Sequence, residues 1–249
     1  MPDAPLPEAF LRIPLAHRGL HDSTAGIIEN SASAVQAAVD AGYGIEVDIQ
    51  PSADGVPMVF HDDTLDRLTA ETGPITAQSA AALAGIDLSG SREGIPTLTQ
   101  ILKIVAGRTP LLIEIKDQDG ALGPNIGTLT QAVARTIDGV PGPIAVMSFN
   151  PHAIVDIPAA IPTGLVTTAF EPTYWSHVPS DRRADLTEIP GAPTFISHNR
   201  AHLRSAPVDR LRAQGIPILT WTIRSPAEEA AAREVAHNIT FEGYRPPHP

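Results

Sequence analysis

Eight short apolar runs rich in β-branched residues, separated by polar loops and by stretches of helical period, constrain this chain more than any other feature. They are Ile13–His17, Gly44–Ile49, Leu111–Lys116, Ile144–Phe149, Gly164–Thr168, Thr194–His198, Ile218–Ile223 and Ile239–Phe241. Asn30 or Ser31 is placed to cap a helix running through Val35, Ala38 and Val39 to Gly42, and Thr97 one running through Ile101, Leu102 and Val105 to Gly107. Further helical periods span Thr128–Ile137, Val208–Gln214 and Pro226–Ala236. Strands alternating with helices predict a parallel sheet covered by helices. A ninth apolar run, Val56–Phe60, follows the second strand after little more than Pro51-Ser52-Ala53-Asp54-Gly55. A parallel crossover needs about a dozen residues, so this link must reverse as a hairpin, with Asp54-Gly55 as its turn. Eight parallel strands remain, the number that closes a (β/α)8, or TIM, barrel in the 249 residues available. An open doubly wound sheet would want a glycine-rich phosphate loop after its first strand, and His17-Arg18-Gly19 is not one.

Composition narrows the function classes. The chain has no cysteine, which excludes disulfides, thiolate catalysis and cysteine metal sites. Its net charge is −11, from 17 basic and 28 acidic residues, and no basic stripe offsets it, so no nucleic-acid partner is expected. No apolar stretch is long enough to span a bilayer. Lys103 and Lys116 are the only lysines, so stable membrane docking is not expected either. The first residues, Met1-Pro2-Asp3-Ala4-Pro5-Leu6-Pro7-Glu8, lack the pattern of a secretory signal, and the expected location is the cytoplasm.

Residues two apart on a strand point the same way. Ile45, Val47 and Ile49 suit packing under helices, which turns Glu46 and Asp48 into the barrel near its C-terminal mouth. Glu114 and Lys116 repeat the pattern against Ile113 and Ile115. Three inward carboxylates repel one another and shed water at a cost of several kcal/mol each. A hard divalent cation removes that cost, and so, in part, would ion pairs with Arg18 and Lys116. His17 closes the first strand and His61 the returning hairpin arm, so both reach the same mouth. Imidazoles there suit proton transfer, and Arg18 and Lys116 suit a phosphate oxyanion. His152, His177, His237 and His248 read as surface, and His198 with His202 as a weak metal candidate.

Ala16-His17-Arg18-Gly19, Glu29-Asn30-Ser31, Ile45-Glu46-Val47-Asp48 and Asp54-Gly55 through Val59-Phe60-His61-Asp62, with Leu65, Arg67 and Thr69, stand in a specific order and spacing. Ile95-Pro96-Thr97-Leu98, Ile113-Glu114-Ile115-Lys116, Ser148-Phe149 and Trp221-Thr222 follow. Together they resemble the glycerophosphodiester phosphodiesterase family from about Leu15 to Glu242. The resemblance implies one TIM-barrel domain over residues 1–249, with a small insertion at roughly 63–95. It also implies one divalent cation, Mg2+ or Ca2+, on Glu46, Asp48 and Glu114. His17 and His61 would be the acid/base pair, with Arg18 and Lys116 near the phosphate. Trp221 either packs against the glycerol carbons or fills the barrel core.

Two departures stand out. The stretch His237-Asn238-Ile239-Thr240-Phe241-Glu242-Gly243 lacks the aspartates with which the family often ends, so no aspartate role is carried there. The loop Leu20–Ile28 holds an extra pair, His21-Asp22, read here as a surface turn. The expected reaction is metal-dependent hydrolysis of glycerophosphodiesters to sn-glycerol 3-phosphate and an alcohol. The alternatives are a lysophospholipase D, with Phe149, Phe170, Tyr174 and Trp175 as an apolar lip, and a catalytically silent barrel that binds phosphodiesters or a protein partner.

Overall fold

The computed structural model describes residues 4–169, 176–182 and 193–248. Its strands are β1 (Leu15–Ala16), β2 (Gly44–Pro51), β3 (Pro57–Val59), β4 (Leu111–Ile115), β5 (Ile144–Ser148), β6 (Thr163–Thr167), β7 (Phe195–Asn199), β8 (Ile218–Ile223) and β9 (Asn238–Phe241). Its helices are α1 (Ala9–Arg12), α2 (Ala32–Asp40), α3 (Ala80–Leu83), α4 (Leu98–Val105), α5 (Leu129–Ile137), α6 (Ala206–Ala213) and α7 (Pro226–Arg233). β3 folds back antiparallel on β2, while the other eight strands run parallel in the order β1-β2-β4-β5-β6-β7-β8-β9. β9 pairs in parallel with β1, so the sheet closes into the expected TIM barrel. No helix among the described residues is long and apolar enough to cross a membrane.

Alternation of side chains sorts the core into layers. Ile45, Val47, Ile49, Ile113, Ile115, Val146 and Ile196 face outward and pack with apolar residues of the surrounding helices. Inside, Phe10, Leu15, Leu112, Ala145, Met147, Val166, Phe195 and Leu219 fill the barrel below the polar mouth. Phe10 comes from α1, which precedes β1 and closes the barrel floor; Asn238 Nδ2 donates to the Phe10 and Ile13 carbonyls at 2.8 and 2.6 Å. Sequence periodicity misses α1 because it is a single turn with no capping side chain.

The predicted caps form. Ser31 Oγ accepts from Ala34 N at 3.1 Å to start α2. At α4, Thr97 Oγ1 accepts from Gln100 N at 3.2 Å, while Gln100 Oε1 accepts from Thr97 N at 2.8 Å. Between β5 and β6 the helical slot holds a single 3-10 turn, Pro151–Ile154, whose cap Asn150 accepts from His152 N at 2.9 Å. β1 is shorter than its apolar run, because Pro14 has no N–H to donate to the ladder and Arg18 leaves it at φ +56°. After the hairpin, residues 63–95 lie between β3 and α4. Leu65, Ile75, Leu83, Leu88 and Ile95 build a separate apolar cluster with Ile28, Met58 and Phe60.

Candidate active site

The mouth of the barrel is assembled by register. Asp48 of β2 lies opposite Glu114 of β4, and Glu46 stands two residues below Asp48 on the same inward face. Glu46 and Asp48 are each 1 % exposed and Glu114 is 7 % exposed. Two backbone hydrogen bonds set the β2–β3 hairpin beside these acids. Ser52 N donates to the Val56 carbonyl at 3.0 Å, and Phe60 N donates to the Asp48 carbonyl at 3.0 Å. The hairpin thus rises past the mouth and returns His61 to the level of the carboxylates. His17, Arg18, His61, Glu46, Asp48, Glu114, Lys116, Phe149, Trp221 and Arg224 all line one cavity of about 180 Å3.

Cations and amides thread the acids. Lys116 Nζ lies 2.7 Å from both Asp48 Oδ1 and Glu114 Oε1. Arg18 Nε is 3.2 Å from Asp48 Oδ2, and its backbone N–H donates to Glu46 Oε2 at 3.1 Å. The positive φ of Arg18, unusual outside glycine, turns its amide and its side chain toward the acids together. Asn30, also at positive φ (+59°), donates to Asp48 Oδ2 at 2.9 Å. The ion pairs expected as the alternative to a metal are therefore present, yet they are incomplete: three carboxylates face two cations. Glu46 Oε1 is buried with no hydrogen-bond partner.

The titration preferences follow from that imbalance. Burial, reinforced by the charges of Asp48 and Glu114, holds Glu46 well above the usual carboxylate range. Burial opposes ionisation of Asp48 too, but Lys116 and Arg18 outweigh it and hold Asp48 below that range. Lys116 is raised: its burial cost is overcome by Asp48 and Glu114. Glu46, Asp48 and Glu114 each offer an oxygen, and these lie within 4.8 Å of one another. Hard oxygen donors, dry surroundings, a surplus negative charge and an orphaned oxygen are what a divalent cation requires, so these residues fit one.

Each histidine is tied at one nitrogen to a carboxylate. His17 Nδ1 lies 2.5 Å from Glu242 Oε2, and its Nε2 lies 3.9 Å from Glu46 Oε2. Burial lowers the affinity of His17 for its second proton, against the pull of Glu242. His61 Nδ1 lies 2.6 Å from Asp62 Oδ1, and Asp62 in turn accepts from Arg67 Nε at 2.6 Å. Arg67 also donates to Glu29 at 2.8 and 3.0 Å, and Glu29 accepts from Arg18 at 2.5 Å. Burial disfavours Glu29 as an anion, but hydrogen bonds from Arg67 and the charge of Arg18 outweigh it and lower Glu29 to about 2.

His17, Arg18, Glu46, Asp48, His61, Glu114 and Lys116 therefore all stand at the mouth, as expected. Trp221 lines the cavity, donates through Nε1 to the Ser197 carbonyl at 3.1 Å and meets Phe149 edge-on at 5.7 Å. Of the extra pair, Asp22 caps a 3-10 turn by accepting from Thr24 N at 3.0 Å, as a surface turn would, but His21 Nε2 is buried 3.8 Å from Glu242. His198 is buried on Thr167 at 2.8 Å rather than paired into a metal cluster. His152, His237 and His248 are exposed, though the His248 ring stacks on Tyr43 at 4.3 Å. Phe170, Tyr174 and Trp175 lie outside the described residues. Sequence reasoning left Glu242, Asp62 and Glu29 without roles and offered Asn30 only as a helix cap, a part that Ser31 takes while Asn30 bonds Asp48. The signal for Glu242 was barrel closure, which sets the end of the last strand beside the end of the first.

Known proteins share both the sequence pattern and this architecture. Residues 17–238 match the model of the glycerophosphoryl diester phosphodiesterase family. YhdW of Bacillus subtilis is 24 % identical over 237 residues, covering 90 % of this chain and 90 % of its own. A glycerophosphodiester phosphodiesterase of Caldanaerobacter subterraneus subsp. tengcongensis is 31 % identical over 157 residues, 59 % of this chain and 62 % of the relative. A phosphodiesterase of Oleispira antarctica, solved with the product sn-glycerol-3-phosphate, superposes with a TM-score of 0.73 at 22 % identity, covering 92 % of this chain and 93 % of that one. The glycerophosphodiester phosphodiesterase of Thermotoga maritima gives 0.71 at 20 % identity, covering 92 % and 94 %. The match over most of the chain, on a barrel whose mouth holds the expected acids and imidazoles, means that this protein belongs to the glycerophosphoryl diester phosphodiesterase family and is an enzyme of glycerophosphodiester hydrolysis.

Proposed function

We propose that this enzyme is metal-dependent and cleaves small, soluble glycerophosphodiesters to sn-glycerol 3-phosphate and an alcohol. The observation that carries the metal is Glu46 Oε1, buried and unpartnered inside a cluster of three carboxylates. Glu46, Asp48 and Glu114 would hold one Mg2+ or Ca2+. Bound there, the ion neutralises phosphate charge and polarises the reacting oxygen.

The chain's own groups do the rest. Arg18 and Lys116 keep fixed positive charge at the cavity wall, where a phosphodiester oxygen binds. His17 and His61 each have Nδ1 tied to a carboxylate, which leaves Nε2 of each for proton transfer. One takes a proton from the nucleophile, and the other gives one to the oxygen of the departing alcohol. Trp221 offers an apolar wall to the glycerol carbons. The product held by the Oleispira antarctica relative supports sn-glycerol 3-phosphate as a product here.

Small diesters are favoured over lysolipids by charge. A net charge of −11 opposes approach to anionic lipid surfaces. Glycerophosphocholine or glycerophosphoethanolamine should therefore be turned over with kcat/KM at least ~10-fold above lysophosphatidylcholine, a difference of about 1.4 kcal/mol. Both rates are measured at the same metal and salt concentration through coupled detection of the released glycerol phosphate or choline. A preference for the lysolipid would establish the lysophospholipase D reading instead.

A further inference from the structure

The seam where the barrel closes carries an arrangement that the reaction as set out above leaves unused. Ala16 pairs with Phe241, and Phe241 with Ile223. The first residue beyond each of these strand positions is His17, Glu242 and Arg224. The backbone locks this alignment: His17 N donates to the Phe241 carbonyl at 2.9 Å, and Glu242 N to the Ile223 carbonyl at 3.0 Å. Three neighbouring strands thus present an imidazole, a carboxylate and a guanidinium in a row along the rim.

Their contacts are directional. Arg224 approaches one carboxylate oxygen, with Nε 2.8 Å and Nη2 2.6 Å from Glu242 Oε1. The other oxygen, Oε2, takes His17 Nδ1 at 2.5 Å and has His21 Nε2 at 3.8 Å. The hydrogen bond with His17 Nδ1, with His21 close by, is the main reason Glu242 sits far below the usual carboxylate range, so it is a permanent acceptor. A carboxylate that accepts only at Nδ1 fixes which ring nitrogen carries the hydrogen and fixes the ring plane. For His17 that leaves Nε2 aimed inward, toward Glu46.

We propose that Glu242, braced by Arg224, is the positioning residue of His17: it holds the imidazole in the Nδ1–H tautomer with Nε2 directed at the reacting phosphodiester. The proposal rests on His17 being one of the two proton-transfer groups. It gives a role to the end of the last strand, where the family's usual aspartate is absent. It also gives a reason for His21 Nε2 to lie 3.8 Å from the same carboxylate, at the start of the turn that Asp22 caps.

The test is a double-mutant cycle with a spectroscopic arm. Glu242→Gln keeps the side-chain size and should lower kcat for glycerophosphocholine with Mg2+ by about 10- to 100-fold while KM changes less than ~3-fold. Glu242→Asp, which keeps the charge, should recover part of that loss. In a His17→Ala background, Glu242→Gln should cost less than ~2-fold, because a positioning residue has nothing left to position. Long-range 1H–15N spectra should show His17 locked as the Nδ1–H form in the unsubstituted protein and averaged between tautomers in Glu242→Gln. Full additivity with His17→Ala, a Glu242→Gln enzyme with wild-type kcat, or an unchanged tautomer would overturn the proposal. If His17→Ala alone kept kcat within a few-fold of wild type, the acid/base reading itself would fail, and the tautomer spectra would still judge the contact.

Discussion

At the scale of the residue, the site is a problem in charge balance. Glu46 and Asp48 sit on one face of β2, and Arg18 and Lys116 neutralise two of the three carboxylates while leaving Glu46 Oε1 bare. The imidazoles stand at the rim of this cluster, each tied to its own acid. Replacing either His17 or His61 by alanine should lower kcat by at least ~10²-fold, the lower end for general acid–base catalysis. Steady-state kinetics at saturating metal check this, and two variants within a few-fold of wild type would refute the assignment. Glu46, Asp48 and Glu114 were legible in the sequence because strand alternation is a local rule that charged residues break conspicuously. Glu242 was not, since its partner His17 lies 225 residues away and meets it only through closure of the sheet. Asp62 was legible as a neighbour of His61 but not as its hydrogen-bond partner, which depends on side-chain direction.

At the scale of the element, turns position the chemistry more than strands do. β1 contributes two residues of ladder, and what matters is the tight turn after it. Arg18 and Gly19 are both at positive φ, +56° and +79°, and a Cβ built on Gly19 would lie 2.7 Å from the Ala34 carbonyl carbon in α2. Gly19→Ala should therefore cost about 2–4 kcal/mol, from left-handed strain plus overpacking against α2. Urea unfolding measures it, and a variant as stable as wild type would contradict the packing described. The hairpin turn, the caps of α2 and α4 and the apolar runs were readable because each rests on a residue type at a fixed offset. The single turn of α1, the 3-10 turn in place of a β5–β6 helix and the shortness of β1 were not. Their causes are contacts made after folding, or segments too short to show a period.

At the scale of the whole molecule, eight strands close the barrel, and residues 63–95 pack through an apolar cluster on Ile28, Met58 and Phe60. Arg67 links that segment to the site, since it bonds both Asp62 beside His61 and Glu29 beside Arg18. Glu29 is lowered from 4.5 to about 2 in the folded protein, so the unfolded chain takes up its proton first as pH falls. Its stabilising contribution is complete above pH 4.5 and is lost between there and about pH 2. The stability gap between wild type and Glu29→Gln should accordingly be constant near neutrality and shrink through that acid window. Unfolding titrations across pH read the gap directly, and one that stayed the same down to pH 2 would contradict the ion-pair assignment.

On the proposed reading, a divalent cation held by Glu46, Asp48 and Glu114 is needed for phosphodiester cleavage, and chelation tests that need. Release of glycerol 3-phosphate from glycerophosphocholine is followed before chelation, after removal of divalent ions, and after return of Mg2+ or Ca2+. Activity should fall by at least ~10²-fold on chelation, recover on return of the ion, and fail to recover in Glu46→Gln, as expected when several kcal/mol of charge stabilisation are withdrawn. Turnover that is indifferent to chelation, or a Glu46→Gln enzyme that responds to metal like the wild type, would contradict the account.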